Sequence, residues 1–527
     1  MATKSKTRAK SQNGNGSLKS FNPRTGETIR EISAVSPGQV RDYVEQARKV
    51  APEWGAIDPE GRSRILSNVR TRIKDKADEI VEVVSSETGK PPAEARAHEV
   101  LVPLMQLAYL EHLAPKVLKS KRVAPVVGGL LGYKARMDFR PFGVVGCITP
   151  WNFPIANSFL GLASPLFAGN AIVVKPSEVT PGSGEMLRDL LDVLPSGVAT
   201  VIQGGGDVGA ALVNAPCDKI SFIGSPATGR KICAAAAEHL TPVVMELGGK
   251  DAAIICSDAD ADLTASGIVW AAFANAGQIC ASVERAYVVD SIADEFQDKL
   301  LGKLAQVRQG DDVGSLTFAR QLDIVSKQVK DAIKKGATVL AGGPDAGIKN
   351  ENGTLWYAPT VLTNVTEDMN VLRDETFGPV LTIVRVRDEE EALQRANSDG
   401  TNLTASVWTK DSKKRERLVA GLRAGSITHN MHIETAGGTW GTWGGVGESG
   451  YGRLNGELGL LEFTVPTHVS YPTMPKMKRS FWFPYDSGSD SMTRSMIDFL
   501  GTKEAPKKFG AIKGVLKEFT KIAKSRL

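Results

Sequence analysis

Val144-Val145-Gly146-Cys147-Ile148, followed at once by Thr149-Pro150-Trp151-Asn152-Phe153-Pro154, is the stretch from which the fold can be read. Five residues without polar alternation are what a parallel strand buried on both faces requires, and the two prolines stop the strand and stiffen the turn that leaves it. Downstream the same unit recurs. Short apolar strands are expected at residues 171–174, 199–202, 220–223 and 243–245, with Gly, Pro or Ser punctuation and a stretch of helical length between them. A second round starts at Asp251-Ala252-Ala253-Ile254-Ile255-Cys256, passes through a helix at residues 263–274, and adds strands near 286–289, 380–386 and 405–408. This wiring predicts an α/β fold of two doubly wound parallel units in series.

Upstream of the run, residues 37–118 carry helical spacing, as in Val40, Tyr43, Val44, Ala47 and Val50, then Ile65, Val69, Ile73 and Ala77. Residues 134–142 mix polar and apolar side chains as an extended arm does. Residues 1–16 are Lys, Ser, Asn and Gly without periodicity and read as a disordered basic arm. Beyond Tyr471 come Phe481-Trp482-Phe483-Pro484-Tyr485 and a Ser- and Asp-rich spacer. A last segment then places Phe509, Ile512, Leu516, Phe519 and Ile522 on one helical face and Lys513, Lys517, Lys521 and Lys524 on another. Such a basic amphipathic helix either packs on the body or a sister subunit, or lies on an anionic lipid surface.

With 527 residues the chain is long enough for two to four domains, and its 42% hydrophobic and 23% charged content is that of a globular protein. The net charge of +5 is held by the tails. The first ten residues have four basic groups and no acid, and residues 501–527 have eight basic and two acidic ones. The body between them is slightly acidic, which argues against nucleic acid as a partner. Five scattered cysteines, Cys147, Cys217, Cys233, Cys256 and Cys280, show neither a CxxC pair nor a His at ligand spacing, so neither a disulfide framework nor a structural metal site is expected. The polar, basic start lacks the apolar stretch of a secretory signal, and a cytoplasmic protein is expected.

Four places can carry chemistry. Cys280 ends Asn275-Ala276-Gly277-Gln278-Ile279-Cys280. A lone cysteine in a reducing compartment is ordinarily a small buried side chain, but this small polar loop offers an accessible turn where backbone N–H groups favour a thiolate. Glu246 closes the strand Val243-Val244-Met245 ahead of Leu247-Gly248-Gly249-Lys250, at the strand end where ligands bind in such sheets, though an isolated Glu is more often a surface group. Asn152 between its prolines is either a donor to a developing oxyanion or the cap of a rigid turn. Lys175-Pro176-Ser177-Glu178 follows a strand and sets an acidic group where adenosine ribose hydroxyls suit it and a 2′-phosphate does not. Gly204, Gly206 and Gly209 have the G-x-G-x-x-G form, but the acid precedes them, so a standard pyrophosphate loop is not supported. Ser225, after Phe222-Ile223-Gly224, opens a helix whose N-terminal N–H groups can receive a phosphate.

Taken in order, Pro150–Pro154, Lys175–Glu178, Gly224-Ser225, Glu246–Lys250, Gly277–Cys280, Glu375-Thr376-Phe377-Gly378-Pro379 and Gly444-Gly445 leading to Ser449-Gly450-Tyr451-Gly452-Arg453 resemble the NAD(P)-dependent aldehyde dehydrogenase superfamily across about residues 18–470. The resemblance implies oxidation of a small-molecule aldehyde to the carboxylic acid with reduction of NAD, in preference to NADP. Cys280 would be the nucleophile, passing through a thiohemiacetal and a thioester, Glu246 the general base for hydrolysis, and Asn152 with the Cys280 N–H the oxyanion hole. Lys175 and Glu178 would hold the adenosine ribose, Ser225 the pyrophosphate, and Glu375 with Phe377 the nicotinamide half. Thr149, Pro150, Trp151, Ser177, Gly209, Gly224 and Leu247 join the implied cofactor contacts, and no metal is implied.

The implied domains are a dinucleotide-binding domain (17–124 and 146–246), a catalytic domain (247–430), a β-arm joining a homodimer or homotetramer (125–145 and 456–470), and an extension (471–527) whose residues from 481 onward are candidates for peripheral membrane contact. Two residues depart from the family's pattern. Leu454 stands where many members carry Glu, and Gly161 where many carry Lys, both tied in the family to carrying the base's proton outward; Ile223 replaces a usual Thr. Transfer of the acyl group to coenzyme A is disfavoured by Glu246, which acylating relatives generally lack, and a non-catalytic protein of the same fold by the intact Cys280, Glu246 and Asn152. The loop with His429, His432, Trp440 and Trp443, and the helix with Ala156, Asn157 and Leu160, favour an apolar or aromatic aldehyde over a carboxylated one. The two histidines are expected to pack the loop rather than to catalyse.

Overall fold

A computed structural model describes residues 16–123, 133–398, 400–433, 438–473, 482–483, 485, 487–504, 508, 510–517 and 520. The apolar run is the strand Val144–Ile148, at the centre of a six-stranded sheet in the order Gly450–Tyr451, Val243–Leu247, Lys219–Gly224, Val144–Ile148, Ala171–Lys175, Ala199–Val201. All neighbours are parallel except the short Gly450–Tyr451, which runs antiparallel beside Glu246. From Val144–Ile148 the chain builds outward on one side to residue 201, then crosses back and builds on the other. The switch point therefore lies between the ends of Val144–Ile148 and Lys219–Gly224, where a crevice must open.

The second sheet has seven strands in the order Thr338–Ala341, Thr360–Thr363, Val380–Val386, Arg285–Val289, Ala252–Ile255, Thr404–Trp408, Ser426–His429. Thr338–Ala341 alone is antiparallel to its neighbour. Only Gly248–Asp251 separates the last strand of the first round from the first strand of the second. The strand pairs at residues 338–341 and 360–363 add to the strands expected from sequence; at four residues each they are too short to show a period.

The opening segment is a hairpin, Ser17–Phe21 with Thr28–Ser33, then helices Val40–Ala56, Pro59–Asp75, Ala77–Thr88 and Val102–Val117. Val40, Val44 and Ala47 are buried in one cluster with Val144, Val173 and Ile220, so this helix covers the first sheet. Between Pro92–Ala95 and Val102–Val117 the backbone widens into a π-helical turn, Arg96–Leu101, a form that recurs at functional sites.

These elements form one compact unit, residues 1–117 and 141–464, and a second consists of residues 118–140 and 465–527. The second holds a three-stranded sheet of Lys121–Val123, Tyr133–Pro141 and Thr464–Pro472. The arm boundaries expected from sequence are thus redrawn. Val144 and Val145 are flanked by strands on both sides and fully buried, and residues 456–461 are helical, with Leu460 buried. Residues 124–132, within the expected arm, lie outside the described residues. The Ser- and Asp-rich spacer is in fact the helix Ser487–Gly501, which buries Met492. Residues 510–517 of the expected terminal helix are helical, while Phe509, Phe519, Ile522, Lys521 and Lys524 lie outside the described residues, as do residues 1–15 of the basic arm.

Candidate active site

Cys280 sits in the loop after the helix Ala261–Phe273, and the loop is held in an unusual shape. Asn275 (φ 49°), Ala276 (φ 53°) and Gly277 (φ 70°) are successively left-handed, a conformation that two non-glycine residues adopt only when their surroundings over-determine it. Those surroundings are visible. The Gln278 Nε2 donates to the Asn275 carbonyl (2.9 Å), the Gln278 Oε1 accepts from the Thr317 N–H (2.9 Å), and the Asn275 Nδ2 donates to the Gln278 carbonyl (3.1 Å). A Cβ at Gly277 would overlap the Gly378 carbonyl, so this glycine lets the loop lie directly on the Glu375–Pro379 segment.

The Asn152 amide donates from Nδ2 to the Gln278 carbonyl (2.9 Å) and accepts at Oδ1 from the Asn157 Nδ2 (3.0 Å). Its second N–H proton remains for a ligand. Behind it lies a fully buried ion pair. Lys90 Nζ donates to Glu99 Oε1 (2.7 Å) and to the Asn152 carbonyl (2.8 Å), and Glu99 Oε2 accepts from the Ile155 and Ala156 N–H groups (3.0 and 2.9 Å). The Asn152 carbonyl also receives the Asn275 Nδ2 (3.0 Å). The Lys90 ammonium stands 4.0 Å above the Phe153 ring.

Glu246 is buried at the strand end. Its carboxylate faces the same pocket as Cys280 and accepts from the Trp443 Nε1 (3.3 Å). Burial pushes its pKa up to about 7, the hydrogen bonds opposing this. Burial, and then the Glu246 charge, hold the Cys280 thiol well above its ordinary value, so the resting pair is a thiol beside a carboxylate of moderate basicity. Cys280, Glu246, Asn152, Glu375 and Phe377 line one pocket of about 300 Å³. Burial also raises the Glu375 carboxyl well above the usual range; it accepts from the Gly249 N–H (3.3 Å). The segment carrying Glu375 and Phe377 is held by Glu284, which accepts from the N–H groups of Thr376 (2.9 Å) and Phe377 (2.9 Å) and pairs with buried Lys250.

Pro150, Trp151, Ile223, Gly224 and Ser225 belong both to this pocket and to a cleft of about 420 Å³ at the switch point. Thr149, Lys175, Ser177, Glu178 and Gly209 line that cleft as well. Lys175 is buried, donating to the Pro176 carbonyl (2.9 Å) and to Glu178 (3.2 Å), while the Glu178 side chain is 44% exposed and free to meet a ligand. Ser225 caps the helix Pro226–Ala237, so the N-terminal end of that helix faces the cleft. The cleft thus offers an acid, a lysine and a helix N-terminus along one line, a donor set that fits an adenosine ribose and a pyrophosphate. Leu247 differs from the rest. Its side chain packs in the sheet–helix core, facing Gly229, and lines neither cavity.

His429 and His432 bond main-chain carbonyls, of Thr409 (2.9 Å) and Ala281 (2.9 Å); burial depresses the His432 pKa to about 4. His432 therefore donates as a neutral ring and braces the chain beside Cys280. Lys90, Glu99 and Glu284 were not singled out for the site by sequence reasoning. A charged residue within a helical pattern looks like a solvated one, and no local signal distinguishes it.

Lys90→Met strips a buried carboxylate of its partner, a change that costs about 3–5 kcal/mol. Thermal denaturation is expected to show a markedly lowered midpoint, and the protein that remains folded at low temperature should lose kcat more than it gains in KM, because the Asn152 carbonyl has lost its anchor.

Residues 9–469 match the model of the aldehyde dehydrogenase family. The chain is 35% identical over 489 residues to the 4,4'-diapolycopene aldehyde oxidase of a Methylomonas species, covering 92% of this chain and 91% of that protein. It is 36% identical over 452 residues to a putative NADP(+) succinate-semialdehyde dehydrogenase of Mycolicibacterium smegmatis, covering 83% and 86%. The crystal structure of PnpE from Pseudomonas sp. WBC-3, also known in complex with nicotinamide adenine dinucleotide, superposes with a TM-score of 0.83 at 31% identity, covering 88% of this chain and 96% of that one. With the Cys280 loop, buried Glu246 and part of the switch-point cleft joined in one pocket, and with this match across nearly its whole length, the chain belongs to the aldehyde dehydrogenase family.

Proposed function

We propose that Cys280 is the nucleophile and Glu246 the general base of an NAD-dependent aldehyde oxidation, and that Asn152 and the Cys280 N–H bind the oxyanion. The observation that carries this reading is that Cys280 and Asn152 share one pocket with Glu246, a carboxylate that burial brings to a pKa of about 7. The thiol proton passes to the carboxylate as sulfur bonds to the aldehyde carbon, and the carbonyl electron pair moves onto oxygen. The free N–H of Asn152 meets that charge, a kind of contact worth about 2.7–4 kcal/mol of barrier. A nicotinamide held against Glu375 and Phe377 would supply the hydride acceptor for the tetrahedral carbon. The acyl group is then a thioester on Cys280, and Glu246 takes a proton from the water that hydrolyses it.

The dinucleotide would lie with its ribose at Lys175, Ser177 and Glu178, its pyrophosphate at Gly224 and Ser225, and its nicotinamide against Glu375 and Phe377, with Thr149, Pro150, Trp151 and Gly209 as walls. Leu247 would contribute main chain only. The first sheet would then serve the cofactor and the second the nucleophile. We further read the three-stranded sheet as the joint of a cytoplasmic homodimer or homotetramer. The exposed Trp482, Phe483 and Tyr485, with exposed Ile497, Leu500 and Leu516, are read as a peripheral anchor to anionic membrane. Among the described residues no helix is long and apolar enough to cross a membrane.

Glu246→Gln is expected to lower kcat by about 10²–10⁴ and to accumulate an acyl adduct on Cys280, read by mass spectrometry. The working base is the deprotonated form, so the wild-type rate should rise with pH through about 7 and then level off, and the variant should lack this limb. A Cys280→Ser variant that turns over normally would remove the reading.

For the cofactor, kcat/KM should favour NAD over NADP by at least about tenfold, since a 2′-phosphate would face the Glu178 carboxylate. Glu178→Gln should narrow that ratio; equal use of both by the wild type refutes the preference. Sedimentation should show a dimer or tetramer that pellets with phosphatidylserine vesicles, and a chain ending at Val469 that does not. Pelleting unaffected by the truncation would defeat the anchor.

A further inference from the structure

Beside the Cys280 pocket lies a third cavity, of about 290 Å³, that shares no lining residue with the switch-point cleft. It shares Asn157 with the pocket of Cys280, and Ile279, the residue before the nucleophile, is part of its wall. Two helices build it. Val102 and Met105 come from Val102–Val117, and Ala156 and Leu160 from Ala156–Ala168, with Phe153 and Ile433 completing the apolar surface. At least two of the lining residues are open to solvent: Trp270 is 44% and Trp440 67% exposed, large apolar surfaces that a monomeric protein does not ordinarily leave uncovered without use.

The polar side chains of this wall are mostly engaged with each other or with neighbouring residues. The Gln106 Nε2 donates to the Asn455 Oδ1 (2.7 Å), and the Asn157 Nδ2 to the Asn152 Oδ1 (3.0 Å). His98 stands edge-on to Phe153 with ring centroids 5.3 Å apart, and burial depresses its pKa to about 4, so it is neutral. Among the described residues that line the cavity there is no Lys or Arg. Arg320 does reach the Cys280 pocket, but beside Phe318 and Gln321, and Gln321 bonds the carbonyls of Thr376 and Phe377 on the nicotinamide side.

Resting on the assignment of Cys280 as nucleophile, we infer that this cavity is the chain subsite and that the substrate is an extended, uncharged hydrocarbon aldehyde rather than a carboxylated semialdehyde. An aldehyde carbon at Cys280 sends its chain past Asn157 and Ile279 into this space and out between the tryptophans. A methylene there leaves water for apolar walls, whereas a carboxylate would be desolvated with no cation to meet it.

The test is the kcat/KM series for propanal, hexanal and decanal with NAD, beside succinic semialdehyde and its neutral methyl ester, on the full chain. The ratio should climb about fourfold per methylene until the cavity is filled, and succinic semialdehyde should fall at least about a hundredfold below its ester. Trp440→Ala should flatten the climb, and Leu160→Arg should flatten it and raise succinic semialdehyde relative to the ester. A flat series, or a semialdehyde within tenfold of its ester, overturns the subsite while leaving the chemistry of Cys280 standing. Absence of NADH formation from every aldehyde, with no adduct on Cys280, overturns instead the proposed function on which the subsite rests.

Discussion

The carbonyl oxygen of Asn152 is the point on which the arrangement of the site depends. It accepts from Lys90, which belongs to the helical layer, and from Asn275, which belongs to the loop of the nucleophile, while its own residue leaves the central strand of the first sheet. Three parts of the chain with no sequence proximity are fixed to one atom. A buried ion pair is a weak source of stability, because desolvating two charges offsets most of their attraction. Its use here is geometric. Glu99 holds the first N–H groups after the Pro154 turn while Lys90 holds the carbonyl before it, so the Asn152 amide has few alternative positions.

From that anchor the three cavities follow in a line. The switch point of the first sheet opens the cleft that shares Trp151 and Ser225 with the Cys280 pocket, and Asn157 joins this pocket to the apolar cavity. Trp151 stands edge-on to Phe318 (4.9 Å) and Phe377 (5.5 Å) between the first two spaces. A substrate carbon at Cys280 therefore has a cofactor-sized space on one side and a hydrocarbon-sized space on the other. Asn157, whose amide bonds the Asn152 side chain, stands where the Cys280 pocket and the apolar cavity meet.

The parallel strands were legible in the sequence because burial on both faces leaves an unbroken apolar run, and several candidate site residues because they sit where those runs stop. Glu246, Lys175 and Asn152 all follow that rule. What was illegible depends on distant neighbours. The left-handed pair Asn275-Ala276 is imposed by Gln278, Thr317 and Asn152, and nothing in Asn-Ala announces it. Lys90, in the turn after the helix Ala77–Thr88, and Glu99, in the π-helical turn, look like any charged residues, and only the fold shows that they are buried. The helix Ser487–Gly501 opens on Ser-Gly-Ser-Asp-Ser, a composition that favours a loop when read locally, and Met492 becomes a core residue only through its packing. Leu247, implied by motif alone, has its side chain in the core, which leaves only its main chain to face the cleft.

The two departures from the family's pattern bear on where the base's proton goes. Leu454 is buried and pairs backbone to backbone with Trp443, the residue whose indole N–H meets Glu246. An indole N–H only donates, so it steadies the carboxylate without carrying a proton onward. At Gly161 the missing side chain leaves a spot bordered by the Thr149 methyl, the Ser221 hydroxyl and Ile223, with no charged group among these three neighbours. Among the described residues the Cys280 thiol shares the pocket with Glu246, and it is the group that the proposed mechanism acylates. Glu246 must then exchange its proton with water inside the pocket.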